Sequence, residues 1–193
     1  MYKLDEQERL IVRELIRNPQ VSDNQIALRT NVPLKTVNRK RKNLEEHGFL
    51  RYYCQLDLSP QGTATFLGRA LFIALLREGI TRKQVGEGLQ HSVKAASYFP
   101  KHVLHTFLAE MGGSVALMLM LESHKADDLL EIYNAEIVPE LESFLGKGCV
   151  KQTMNFPMRR TLRAFRNYIP DRNMQNGRIK EEWRNEFLFV DEP

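Results

Sequence analysis

Cysteine is scarce in this sequence, phosphate-cradling glycine loops are missing, and no apolar run is long, and each shortage closes a class of function. The two cysteines, Cys54 and Cys149, are far apart and fit neither a disulfide framework nor a metal-ligand spacing, so a reducing cytosol is the expected setting. The longest apolar run, Val115 to Leu121, is far too short to cross a bilayer, and no membrane partner is expected. Lys3, Asp5 and Glu6 interrupt the first residues, which gives no expectation of a secretory leader. Gly86-Glu87-Gly88 and Gly112-Gly113 lack the spacing of a phosphate loop, and no serine sits in a nucleophile elbow. His102 and His105 fall in an expected strand at a separation that sends them to opposite faces, so they do not converge on a metal. Met118, Met120, Met154 and Met158 read as core filling and not as a soft-metal box. No catalytic residue, metal or other cofactor is expected.

What is present is charge, unevenly spread. Over 193 residues the formal net charge is +4. Residues 1–53 hold 11 basic and 7 acidic side chains, residues 54–158 hold 9 and 11, and residues 159–193 hold 8 and 6. The positive excess therefore sits at the two ends, and the acidic middle argues against nucleic acid wrapping the whole surface.

The N-terminal excess is concentrated between Lys35 and Lys42, with five basic residues and no acidic one. The surrounding residues make this a helix presented by another helix. Ser22 suits a helix N-cap and Asp23 the positive helix end that follows it. Ile26 and Ala27 are placed to pack, Asn31 tolerates a left-handed turn, Val32 is an apolar plug, and Pro33 belongs at a helix start. Val37, Arg41 and Leu44 then recur at i, i+4, i+7. An earlier helix is expected from Asp5 to about Arg17, with Leu10, Ile11, Leu15 and Ile16 as its apolar stripe and Pro19 beyond its end. After Leu44, Gly48 terminates the basic helix, and the aromatic-rich stretch through Tyr52 and Tyr53 reads as the strand of a wing.

The succession Leu4-Asp5, Ile26-Ala27, Val32-Pro33-Leu34 and Arg39 to Leu44-Glu45-Glu46-His47-Gly48-Phe49-Leu50 resembles the Lrp/AsnC transcription regulators. The resemblance spans roughly residues 4 to 158. It implies an α+β fold, with an N-terminal winged helix-turn-helix followed by a β-α-β-β-α-β ferredoxin-like domain for effector binding and dimerisation. The downstream pattern is compatible. Ala70 to Leu76 is an apolar run, Ile80 to Leu89 suits a short helix, and Val103 to Ala109 and Ser114 to Leu121 flank the turn Glu110-Met111-Gly112-Gly113. Asp127 to Phe144 has helical periodicity, and Cys149 to Phe156 suits a last strand. The expected boundaries are 1–58 for the winged helix, 66–158 for the ferredoxin-like domain and 159–193 for a basic, aromatic extension.

Three positions depart from the family pattern. Pro33 stands where the recognition helix usually has a capping Ser, and Arg41 where an apolar residue is usual. The family's Gly-x-x-Asp turn, near which amino-acid effectors bind, corresponds to Gly112-Gly113-Ser114-Val115, with Val115 in place of the Asp that would hold an ammonium group. Gly112, Gly113 and Ser114 are thus candidate contacts for a small-molecule effector of unknown identity.

The expected partner is double-stranded DNA, read by a homodimer or higher oligomer whose recognition helices lie about 34 Å apart. Lys35, Thr36, Asn38 and Arg39 are the candidates for base edges, since Arg and Lys grip guanine and Asn pairs with adenine. Lys40, Lys42 and Arg51 are candidates for phosphates, with Gln25 and Arg29 on the preceding helix as secondary ones. Two other readings stay open. One is a protein-interaction module built on a winged helix; the other is an enzyme like the sirohaem decarboxylases, which resemble the same regulators. In the extension, Arg159, Arg160, Arg163 and Arg166 either touch DNA phosphates while the aromatic end from Trp183 to Val190 docks elsewhere, or the whole segment packs over its own sheet and pairs with the acidic middle.

Overall fold

Asp5 starts the first helix, α1 (Glu6–Arg17), through a reciprocal cap. Its Oδ1 accepts the Glu8 N–H at 2.9 Å, and the Glu8 carboxylate accepts the Asp5 N–H at 3.0 Å. This computed structural model describes residues 2–53, 68–123, 125, 127–159 and 162–190. They divide into two units: 2–53 with 162–190, and 68–159.

In the first unit Ser22 caps α2 (Asp23–Thr30) by accepting the Gln25 N–H at 3.3 Å, and Asn31, at φ 56°, turns the chain left-handedly. Pro33 then precedes α3 (Leu34–Glu46) without any side-chain cap, the physical consequence of having no hydroxyl there. Ile11, Leu15, Val21, Ile26, Val32 and Val37 form the small core. Each large member contributes about 1.5–3 kcal/mol by burial. The wing strand expected after Gly48 is only partly testable: residues 51–53 are exposed and outside any strand, and Cys54 onward lies outside the described residues.

The second unit is a four-stranded antiparallel sheet of β1 (Gly68–Leu76), β2 (Val103–Met111), β3 (Ser114–Ser123) and β4 (Val150–Pro157), in the order β2-β3-β1-β4. The strictly alternating burial of β1 sends Ala70, Phe72, Ala74 and Leu76 to one face, where they meet Leu117, Leu119 and Leu121 under the helices. Gly112 and Gly113, at φ 59° and 80°, close the β2–β3 hairpin, whose backbone sense demands positive φ.

The helices correct the expected pattern in two places. Thr81 caps α4 (Arg82–His91), and Ser92 both ends it and starts a second helix, α5 (Val93–His102). The Ser92 N–H donates to the Gly88 carbonyl at 3.0 Å while its Oγ accepts the Ala95 N–H at 2.8 Å. His102 therefore ends a helix and does not share a strand with His105. The helix expected over Asp127 to Phe144 is α6 (Asp128–Ile132), a π-helical turn (Tyr133–Ile137) and α7 (Val138–Leu145). Pro139 has no N–H to return to the preceding turn, and the widened turn sits just before it. Tyr133, buried at this turn, stacks on Phe72 at 4.6 Å and hydrogen-bonds Thr153 at 3.0 Å.

The opposite sheet face corrects the reading of the methionines. Met118, Met120 and Met154 are half-buried on it, in register rows His105–Met120–Leu71–Phe156 and Phe107–Met118–Ile73–Met154. Phe107 and Phe156 are each more than half exposed. This face is apolar without being core.

The C-terminal extension belongs to the first unit, where it bonds α1 through Ile16 and Arg17. It contains α8 (Pro170–Asn173), the two-residue strands β5 (Met174–Gln175) and β6 (Arg178–Ile179), and a 3₁₀ turn (Asn185–Phe187). Asn176 and Gly177 form the β5–β6 turn, both at positive φ. Buried Asn173 holds the segment together, its amide donating to the Asn167 carbonyl and its oxygen accepting the Ile169 N–H, each at 2.9 Å. The Tyr168 hydroxyl donates to the Ile16 carbonyl of α1 at 2.9 Å.

Candidate nucleic-acid interface

The site is the outer face of α3, and its orientation follows from the residues that tie the inner face down. Val37 and Leu44 are buried, and between them Lys40 and Arg41 also turn inward. The Lys40 ammonium pairs with Asp5 and lies 3.6 Å from Glu8. Lys40 is only 8% exposed, unlike the other phosphate candidates Lys42 and Arg51. Burial opposes the Asp5 charge, but the Lys40 ammonium and the Glu8 N–H outweigh it and hold the carboxyl below its ordinary range.

Arg41, at the usually apolar position, makes a second polar knot. It bonds Asp23 and Glu45, each at 2.9 Å, and the Val21 carbonyl at 3.2 Å, with the Tyr52 ring 5.5 Å from its guanidinium carbon. Tyr52 in turn donates to Glu45 at 2.8 Å. Burial first, then that hydrogen bond, push the Tyr52 phenol up to about 12; the Arg41 charge works the other way. Burial works against the Arg41 cation, but its two carboxylates prevail and raise its pKa.

With those two cations turned in, Lys35, Asn38, Arg39 and Lys42 are exposed on the outer face and Thr36 is half-buried beside them. Among the described residues no ion pair holds Lys35 or Arg39. Asn38 leans on Asp23 at 3.1 Å, and Lys42 has only a loose, exposed pair with Glu46 at 3.6 Å. Ser22, Asp23, Asn24, Leu34, Lys35 and Asn38 line an open groove between the starts of α2 and α3. Gln25 is exposed on α2, and Arg29 bonds Glu14 at 3.1 Å, tying α2 to α1. Arg51 is exposed and lies over Gly48.

The sequence reading missed the anchoring roles of Lys40 and Asp23. The spacing of Lys40, three residues after Val37 and four before Leu44, was the available signal. At the other candidate site, Gly112 and Gly113 are exposed, Ser114 and Val115 are buried, and Glu110, the register partner of Val115, pairs with Arg82 at 3.3 Å. No group of His, Cys, Asp and Glu among the described residues is arranged to hold a metal ion. No helix of the described residues is long and apolar enough to cross a membrane.

A family model described as winged helix-turn-helix DNA-binding matches residues 4–51. Among solved structures, Escherichia coli AsnC is similar at a TM-score of 0.57 and 17% identity, covering 83% of this chain and 95% of that one. The chain has the Lrp/AsnC fold. A Neisseria meningitidis transcriptional regulator solved with L-Met is similar to the same degree (TM-score 0.58, 17% identity, 84% and 94% covered). So is the Mycobacterium tuberculosis leucine response regulatory protein (0.57, 18%, 86% and 100%). No curated protein matches the sequence. In that fold α1, α2 and α3 form the helix-turn-helix part and the β2-β3-β1-β4 sheet with its helices is the ferredoxin-like domain.

Proposed function

We propose that the protein is a transcription regulator that reads a specific DNA sequence as a homodimer. The observation that carries this is the division of labour on α3. Lys40 and Arg41 fix the helix from behind, so Lys35, Asn38, Arg39 and Lys42 project together from the free face. Lys35, Thr36, Asn38 and Arg39 contact base edges, Lys42 and Arg51 contact phosphates, and Gln25 and Arg29 flank them. The reading assigns no catalytic role and no cofactor, and it places the protein with the DNA in the cytoplasm.

The apolar outer face of the sheet supports dimerisation, since two neighbouring rows that leave Phe107 and Phe156 more than half exposed are unfavourable in water. Two α3 helices about 34 Å apart then meet successive major grooves. A small molecule bound at Gly112, Gly113 and Ser114 finds no carboxylate at Val115 for an ammonium group, which disfavours a free amino acid held in that way.

Fluorescence anisotropy with selected genomic fragments against a scrambled duplex, at low and physiological salt, tests the proposal. The expected result is at least one fragment bound about 10³-fold more tightly than the scrambled duplex at physiological salt. Equal binding to all duplexes, released together as salt rises, rejects it in favour of a protein-interaction role for the winged helix.

A further inference from the structure

Leu34, the first residue of α3, is an apolar side chain that the core of the first unit leaves outside. It is 46% exposed, whereas Val37 and Leu44, further along the same helix, are at most 1% exposed. A single exposed leucine is ordinary, so its meaning depends on what surrounds it. Leu34 shares the open groove between the starts of α2 and α3 with Lys35 and Asn38. Leu34 and Asn38 are four residues apart, so their side chains stand one helical turn, about 5.4 Å, from one another on one face.

The neighbourhood is apolar on one side and cationic on the other. An adjoining hollow shares Leu34 and Asn24 with that groove, and Ala27, Leu28, Val32 and Pro33 also line it. Leu28 is 85% exposed, but it lines this hollow and not the groove of Lys35 and Asn38. Asp23, the one carboxylate of the groove, is engaged by Arg41 at 2.9 Å and by the Asn38 amide at 3.1 Å. Lys35 and Arg39 have no ion pair among the described residues, and both are exposed.

An apolar tip set beside an amide and free cations matches the major groove of DNA. Its phosphates are anionic, its adenine edge pairs with an amide, and the C5 methyl of thymine is its apolar group. We propose that Leu34 reads a thymine methyl and is a specificity-determining residue, an assignment that rests on the DNA-binding reading above. One helical turn of about 5.4 Å against a base-pair rise of about 3.4 Å places that thymine within about two base steps of the pair Asn38 contacts. Leu28 takes no part in this contact, because it faces the adjoining hollow.

The test uses the full chain and the genomic fragment that binds most tightly in the anisotropy titrations. Each thymine of that duplex is replaced in turn by deoxyuridine, which removes the C5 methyl and keeps every hydrogen-bonding atom of the base. Replacing one thymine per half-site is expected to weaken binding about fourfold, the worth of one buried apolar carbon. Leu34→Ala is expected to bind the two duplexes alike at that position, which a cycle of protein and base substitutions reads directly. Because Leu34 lies outside the core, the thermal unfolding of this variant should match wild type. Leu28→Ala is expected to keep the wild-type discrimination.

A wild-type protein that prefers one fragment but is indifferent to every thymine replacement overturns the proposal, leaves the DNA reading standing and turns the apolar patch over to a protein partner. A Leu34→Ala protein that retains the fourfold difference overturns it too, as does loss of discrimination in Leu28→Ala alone. A wild-type protein that binds all duplexes alike rejects the DNA reading itself, and the thymine contact with it.

Discussion

Lys40 of α3 turns its ammonium onto Asp5, the residue that caps α1, so a basic side chain in the middle of the charged run ties two helices together. Glu8, 3.6 Å away and buried, completes the pair and also accepts the Tyr2 hydroxyl at 2.9 Å. The knot fixes the rotation of α3 about its axis.

Lys40→Ala leaves the buried Glu8 carboxylate without its cation, and stability should fall by about 1–3 kcal/mol in urea denaturation. Lys42→Ala should change stability little. A stable Lys40→Ala protein that has lost phosphate contacts would return Lys40 to the DNA face.

Arg39→Ala should weaken binding to the preferred sequence by about 1–3 kcal/mol and relax preference at one base position. Lys42→Ala should weaken all sequences alike and reduce the salt slope by about 1. Anisotropy titrations at stepped salt separate the two patterns, and identical behaviour of the two variants would contradict the division between base and phosphate contacts.

Tyr52 makes the first unit sensitive to alkali. The phenol keeps its proton in the folded state to about 12, against an ordinary 10 in the unfolded chain. Its contribution is therefore complete below pH 10 and is lost as pH rises from 10 through 12. Chemical denaturation across this window should show stability falling with pH, and Tyr52→Phe should fall less steeply. Parallel curves would place the titration elsewhere.

Gly88 packs α4 directly against α7. A Cβ built at this position lies 2.0 Å from Cδ2 of Phe144. Gly88→Ala should destabilise the sheet unit by about 1–3 kcal/mol through overpacking. Gly86, with nothing near its Cβ position, supplies the control, since Gly86→Ala should be neutral or stabilising in thermal unfolding.

The DNA-binding half of the fold was legible because its signals are local. Asp5, Ser22, Asn31 and Pro33 each act on backbone within a few residues, so cap, turn and helix start follow from residue type. The outward set Lys35, Asn38, Arg39 and Lys42 was legible for the same reason, since helical periodicity separates them from Val37 and Leu44. The pairing of Lys40 was not legible, because its partners Asp5 and Glu8 lie more than thirty residues earlier. Ser92 was missed as a helix junction because one hydroxyl there serves a new helix while its own N–H ends the old one. The methionines were misplaced because a sheet has two apolar faces here, and only packing shows which one the helices cover.

By itself the sequence determined the Ser22 cap, the Gly112-Gly113 turn and the basic face of α3, all properties of neighbours within one or two turns. Tertiary structure alone decided which carboxylates Lys40 and Arg41 meet, that the extension lies along α1 under Arg17, and that the Met118 and Phe107 row stays open. Those outcomes depend on groups brought together from distant parts of the chain, where desolvation and pairing outweigh local preference.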